Sequence, residues 1–568
     1  TYLDTPVMPN SAFASGYNPV DCEKQEFTPR IRQVDGDGFG PFVTQGGTLT
    51  VHSQGLTTVS NPAYEGPTAT GPAGDQTITR DYGFGSLAGT VTLDGTAIAV
   101  TWGDGTITWA VSDDPDSPDY VAAGEYQLVV TSADGISTTE GITVTVADAT
   151  TPAPTRVQAG GSIQAAIDDA TAGDLILVGP GAYEELIIMS KPVRLQGAGA
   201  GATFISGLKR PTEALLGWRE KMDCLFGIGA GCQKEVDSLP GQADGAAAME
   251  TEEGATITVL GVFDGGSGRP PENSFLRGSA PARIDGFSIS GGDTGGGVFA
   301  NGYAHRLEVS NNHIFGNSGS YHGGIRIGRP YLELEGNGPF GFNERVDIHH
   351  NAVTQNASFD GAGGGISIST GTDSYNISSN FVCGNFTQGD GAGIGHLGRS
   401  DNGLIADNTI LFNQSFLQQT SRSGGGIFIG GEPVALAEVD GPLSLGTGDV
   451  TVQDNVIMGN HAASGHGGGI RAEFVNGQDV VGTTQTGRWF GLSLLNNTIV
   501  NNVAGWSGGG VSLQDVARSS IEGNTIARND STATVAATFE NGADDPSIPQ
   551  TAGVSSAPHS IGLTSAIP

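Results

Sequence analysis

Positive charge is scarce in this chain. Of 568 residues only 25 are Lys or Arg against 60 Asp or Glu, a formal charge of −35, and no lysine follows Lys234. Such a chain has no basic stripe to track phosphates, which excludes nucleic acid as a partner. It also repels a polyanionic polysaccharide unless a local basic cleft or bound calcium compensates. The missing downstream lysines remove a common base for elimination chemistry on sugars. No apolar run is long enough to cross a membrane, so no transmembrane segment is expected. The opening TYLDTPVMPN has neither Met nor a signal peptide, which fits a processed, exported chain or a fragment of a larger one. Cysteine is limited to Cys22, Cys224, Cys232 and Cys383, without zinc spacing. Cys224 and Cys232 bracket the loop LFGIGAG and suit a local disulfide in an oxidising compartment, whereas the pairing of Cys22 and Cys383 stays open.

Glycine is abundant, at 92 residues, but has no collagen period, so it must serve recurrent turns of an all-β protein. Residues 1–27 lack periodicity and read as an extended arm. From 28 to 149 short runs alternate at period two between Gly, Asp and Asn turns, which predicts an antiparallel β-sandwich with Trp102 and Trp109 in its core rather than on a sugar platform. The stretches GFGSLAGTVTLDGTAIAVTWGDGTITWAV, GEYQLVVTSADG and ITVTV resemble an immunoglobulin-like domain of the IPT/TIG type over roughly residues 77 to 148, which implies a spacer or binding module. A Pro/Thr-rich linker covers 150–156. Next comes a short amphipathic helix, then GDLILVGPGAY and KPVRLQGAG. These resemble the N-terminal cap and first coil of right-handed parallel β-helix proteins of the pectin-lyase-like superfamily.

The hexad N-x-[IV]-x-x-N recurs, with small variations, at Asn312, Asn351, Asn380, Asn408, Asn455, Asn497 and Asn524, at intervals as short as 27 to 29 residues. Between hexads, glycine clusters lead into Val298, Ile325, Ile366, Ile394, Ile427, Ile470 and Val511. Both patterns follow if each coil stacks on the last at about 4.8 Å: Ile and Val fill inward columns, and asparagines bond to their counterparts above and below. The expectation is a right-handed parallel β-helix of about ten coils over 157–545, a rod of about 45 to 55 Å. An irregular excursion at 208–280, in which Trp218 and Arg219 sit where a loop could wall a groove although most such loops simply cover the scaffold, and a C-terminal extension at 546–568 complete the chain.

Gly465-His466-Gly467 in SGHGGGIRA is similar to the Gly-His-Gly element of polygalacturonase-type β-helix hydrolases. That chemistry needs paired carboxylates across the sugar, and the two preceding coils offer only Asp390, Asp407 and Asp454. Counting back from each strand-opening apolar residue puts Tyr321, Asp390 and His466 in one column. Counting forward puts Arg326 and Arg471 in another, four coils or about 19 Å apart. A second candidate group, for a base or for binding a uronate, is Tyr321, His322, Arg326, Arg345, Asp347, His349 and His350; alternatively His349 and His350 merely occupy the strand before the Asn351 bend. His396 is expected inward, as a structural histidine. No cofactor is expected, although the turn aspartates Asp360, Asp390 and Asp401 leave calcium open.

The favoured reading is an extracellular or cell-surface structural or binding protein, exported, with a protein or polysaccharide partner or self-assembly into a larger complex. The alternatives are a polysaccharide lyase, hydrolase or epimerase, which would rest on fold analogy, and a non-catalytic part of a larger secreted protein.

Overall fold

Apolar residues that recur once per coil can all be buried only if the coils lie in register, and the chain folds that way. The computed structural model describes residues 20–249, 252–263, 274–276, 281–329, 342–417, 420–431, 443–535, 548 and 550–568. Residues 1–19 of the expected arm, 250–251, 264–273 and 277–280 of the expected excursion, and 536–547 and 549 near the C-terminus lie outside the described residues. The chain is all-β, with four stacks of parallel strands in a parallel β-helix-like arrangement. The first stack has eleven strands, from Thr155–Val157 to Ser519–Glu522, and the second has ten, from Gly181–Tyr183 to Thr525–Ala527. The third has ten, from Ile187–Met189 to Val554–Ser556, and the fourth has seven two-residue strands, from Ser318–Gly319 to Asp530–Ser531. Ten steps between eleven strands span roughly 48 Å, within the expected length.

Inward columns such as Ile348–Ile377–Ile405 and Ile366–Ile394–Ile427 pair in register and form one continuous core from Val157 to Leu513. Each hexad is a three-residue strand of the second stack between two bends. The residue before each asparagine is left-handed, as at His350 (φ 53°), Asp407 (φ 56°) and Asp454 (φ 55°) before the first and at Gln355 (φ 56°) and Phe412 (φ 54°) before the second. The bends turn the following asparagines inward, and two buried ladders result. The first contains the seven asparagines named above. The second runs through Asn317, Asn356, Asn385, Asn413, Asn460, Asn502 and Asn529. In each rung after the first the side-chain oxygen accepts from the asparagine one coil earlier and the amide donates to a strand carbonyl; Asn408 accepts both Asn380 N and Asn380 Nδ2 at 3.0 Å and donates to Ile377 O at 2.8 Å. Glycine at 469 is a matter of space: a Cβ there would lie 2.6 Å from Gly510 O and 2.9 Å from Ile499 Cγ2.

The helix Ile163–Asp169, capped by Ser162 Oγ on Ala165 N, buries Ile163 and Ile167 over the open end of the core. The excursion is only partly an interruption, because Ile257–Val259 is a rung of the third stack, between Ile187–Met189 and Val298–Ala300. Its helix Glu213–Leu225 buries Trp218 and Met222 against Ile188, Leu260 and Phe299. Trp218 therefore covers the scaffold instead of walling a groove, while Arg219 pairs with Glu253 at its edge. The last rung also lies past the boundary expected at 545. Val554–Ser556 pairs with the strand Val511–Gln514, and the short helix Ile561–Ala566 buries Leu563 with Val480 and Trp489.

Residues 31–147 form a two-stranded antiparallel sheet, Gly55–Ser60 with Thr77–Tyr82, together with a three-stranded antiparallel sheet and a mixed five-stranded sheet that share one core, with Leu49, Val51, Ile107 and Trp109 on one side and Val91, Leu128, Val130 and Val144 on the other. Trp109 is buried, and Trp102 packs at the core edge with its Nε1 donating to Gly85 O. This unit is fastened to the first stack. Glu125 pairs with Arg194 and Arg283 (each 2.8 Å), Thr143 Oγ1 donates to Asp285, and Gln127 exchanges hydrogen bonds with Asn311. Cys224 and Cys232 are bonded as expected. The other disulfide joins Cys22 to Cys383 across 361 residues and ties the arm to the second stack. No helix among the described residues is long and apolar enough to cross a membrane.

Candidate functional site

The strands of the third stack alternate inward apolar residues with outward ones, and the outward column runs Phe299, Arg326, Ser367, Gly395, Phe428, Arg471, Ser512, as the glycine phasing predicts. Arg326 and Arg471 are four coils, about 19 Å, apart, and each is engaged locally. Arg326 is 1 % exposed and pairs at 2.7 Å with Glu252, which is fully buried and also holds Arg329 at 3.1 Å. Phe299 and Tyr321 flank the Arg326 guanidinium. Arg471 is bound by Glu473 (2.8 Å), Ser512 Oγ (2.8 Å) and Gln514. His322 is fully buried beside Arg326, and burial, then that charge, pulls its pKa far down.

The turns opening these strands carry the main polar cluster. Ser423 links Asp390 to His466, because its amide donates to Asp390 Oδ1 (2.6 Å) while its hydroxyl accepts from His466 N (3.2 Å). His466 Nδ1 meets Ser507 Oγ at 2.9 Å, and its ring stacks on Trp506 at 5.1 Å between centroids. Asp390 and His466 thus share a column two coils apart, joined through Ser423 without direct contact. Arg422 lies between two of the calcium candidates, 3.4 Å from Asp360 and 3.5 Å from Asp390, and the third, Asp401, pairs with Arg399 at 3.1 Å. Among the described residues no group of three or more His, Cys, Asp or Glu is placed to hold a metal ion.

Burial pushes the Asp390 carboxyl up to about 7, with the Glu473 charge adding to the rise; burial, then the Arg471 charge, pulls His466 down to about 4. Near neutral pH this face therefore presents a partly protonated acid, a neutral imidazole and a half-buried tryptophan. Asp390 keeps a proton in the folded state that it loses when unfolded, so its contribution to stability falls as pH rises from about 4 to about 7. Its side chain retains 23 % exposure, which discounts the effect to about 1–3 kcal/mol. Asp390→Asn should remove that slope and stabilise the fold at pH 8, as read by denaturant midpoints across pH.

The other candidate group is divided by the fold. Tyr321, His322 and Arg326 belong to the third-stack face, whereas Asp347 and His349 lie in a first-stack strand beside the docked N-terminal unit. His349 Nε2 meets Glu308 Oε1 at 3.3 Å. Burial lowers the His349 pKa, but the Glu308 bond and the Asp347 charge outweigh it, and the net shift is upward. Burial raises Asp347. His350 is the left-handed bend residue before Asn351, and Arg345 is exposed. His396 points inward, bonded to Tyr375 OH and Gly398 O at 2.8 Å each. Sequence reasoning missed Glu252, Glu308, Arg422 and Trp506. Only Arg422 and Trp506 had a usable signal, since both immediately precede members of the strand-opening column.

Comparison with protein-family models, with curated proteins and with solved structures gives no match for this chain.

Proposed function

We propose that this chain is an exported structural or binding protein. In this reading an immunoglobulin-like module is docked on a right-handed β-helix that presents a ligand-contacting face to an extracellular polysaccharide or protein. The observation that carries it is how the outward arginines are used. Arg326 and Arg471, the side chains best suited to clamp a substrate carboxylate, are already engaged: Arg326 by Glu252 of the excursion, and Arg471 by Glu473 of its own strand and by Ser512 and Gln514 of the next coil. Export is supported by the pairing of all four cysteines, an arrangement typical of oxidising compartments. A second reading, a polysaccharide-cleaving enzyme, is favoured by one specific feature: Asp390, protonated near neutrality within the field of Glu473, is the kind of acid a glycosidase uses. The experiment is incubation with a panel of neutral and uronate polysaccharides, followed by both pull-down and product analysis. Retention on a polysaccharide without cleavage supports the binding role; shortened or unsaturated products abolished by Asp390→Asn support the enzyme.

A further inference from the structure

Away from the third stack, the arm closes a cavity of about 230 Å³ against the second stack, lined by Lys24, Arg30, Glu140, His313, Thr354 and Phe381 among others. Lys24 projects into it from a rigid backbone. The Lys24 carbonyl accepts from Arg80 Nη1 (2.7 Å) and Tyr82 OH (2.8 Å), Arg80 also holds Asp21, and the neighbouring Cys22 is bonded to Cys383. The Lys24 side chain is 7 % exposed, and its amine is buried and has no hydrogen-bond partner. Its nearest compensations are the Glu140 carboxylate at 4.0 Å and the Phe381 ring face at 3.4 Å. A buried ammonium so poorly solvated is costly unless it loses its proton.

We propose that Lys24 is an imine-forming site for a small aldehyde held in this cavity. The neutral amine attacks the carbonyl carbon to form the C–N bond, and the carbonyl oxygen takes up the two amine protons and leaves as water while C=N forms. The neutral imine so formed then takes one proton from solvent, and the resulting cation lies beside Glu140, which supplies the counter-charge. Loss of the Lys24 proton does not leave Glu140 alone, because Arg30 stands 3.5 Å from it. Burial lowers Lys24 to about 7, opposed by Glu140 and reinforced by the Arg30 charge, with Glu23 a weaker opposing charge. Of the other titratable groups lining the cavity, Asp21 is paired with Arg80 at 2.7 Å, and His313 is itself lowered to about 4, chiefly by burial, and stays neutral, with Nε2 3.2 Å from Thr354 Oγ1. The cavity is smaller than a drug-sized site, which matches an aldehyde of a few carbons.

The native chain incubated with acetaldehyde and cyanoborohydride at pH 7, then peptide-mapped, tests this directly. Lys24 should be alkylated about tenfold or more faster than Lys191, Lys209, Lys221 and Lys234, because an ordinary lysine is almost wholly protonated there. The advantage should shrink at pH 10 and vanish in the urea-unfolded chain. Labelling of Lys24 at or below the rate of the other four in the native chain overturns the proposal.

Discussion

Asn408→Ala is expected to cost about 3–6 kcal/mol, since at a residue 1 % exposed it removes an oxygen that accepts two hydrogen bonds and an amide whose two hydrogens are shared among three acceptors, and strands their partners away from water. Asn408 Nδ2 donates to Ile377 O, Ala406 O and Asn455 Oδ1, and its oxygen accepts from Asn380 N and Nδ2. The matched control is Asn524→Ala at the last rung. Asn524 is only part-buried; it donates to Leu494 O and Glu522 O and accepts from Asn497 N and Nδ2, but no further rung lies beyond it, so water reaches part of what is stranded and the cost is smaller, about 1–3 kcal/mol. Denaturant midpoints of the two variants check the pair; equal losses at both positions would mean that the ladder is not what holds the coils together.

Replacing both Cys22 and Cys383 by serine is the second large effect. A cross-link closing 361 residues restricts the unfolded chain strongly, and the chain-entropy relation gives about 5–6 kcal/mol. The folded-state consequence is local. The arm keeps Arg80 on the Lys24 carbonyl but loses its covalent hold on the second stack, so cleavage by a lysine-specific protease should move to Lys24 in the double-serine variant while the stack stays resistant. An unchanged unfolding midpoint together with an uncleaved arm would show that the bond adds nothing to the packing around it.

The stack was legible in the sequence because its causes repeat. Isoleucine columns, glycine turns and asparagine bends each recur once per coil, and counting along them placed Arg326 and Arg471 in one column and Asp390 and His466 in another, as the structure has them. The hexad's second asparagine repeats with the same period, and it forms the second ladder. What repeats once leaves no such trace. Glu252 reaches Arg326 from the excursion, Cys22 reaches Cys383 from the opposite end of the chain, and Val554–Ser556 completes the third stack after a break in the pattern. The candidate group around Tyr321 and His349 is divided between two stacks for a geometric reason. Residues close in sequence were assigned to one site, but a coil turns through separate faces between them, and His349 was left beside the N-terminal unit.

The distance along a single column tests the stacking most directly. Phe204 and Thr525 are both exposed and belong to one register line through Ser288, His313, Ala352, Phe381, Thr409, Val456 and Thr498. Eight steps at the inter-strand spacing put them roughly 38 Å apart. Spin labels on Phe204→Cys and Thr525→Cys, measured by double electron–electron resonance, should give one narrow distribution near 40 Å. A broad distribution, or one centred below about 25 Å or above about 55 Å, would contradict a continuous in-register stack.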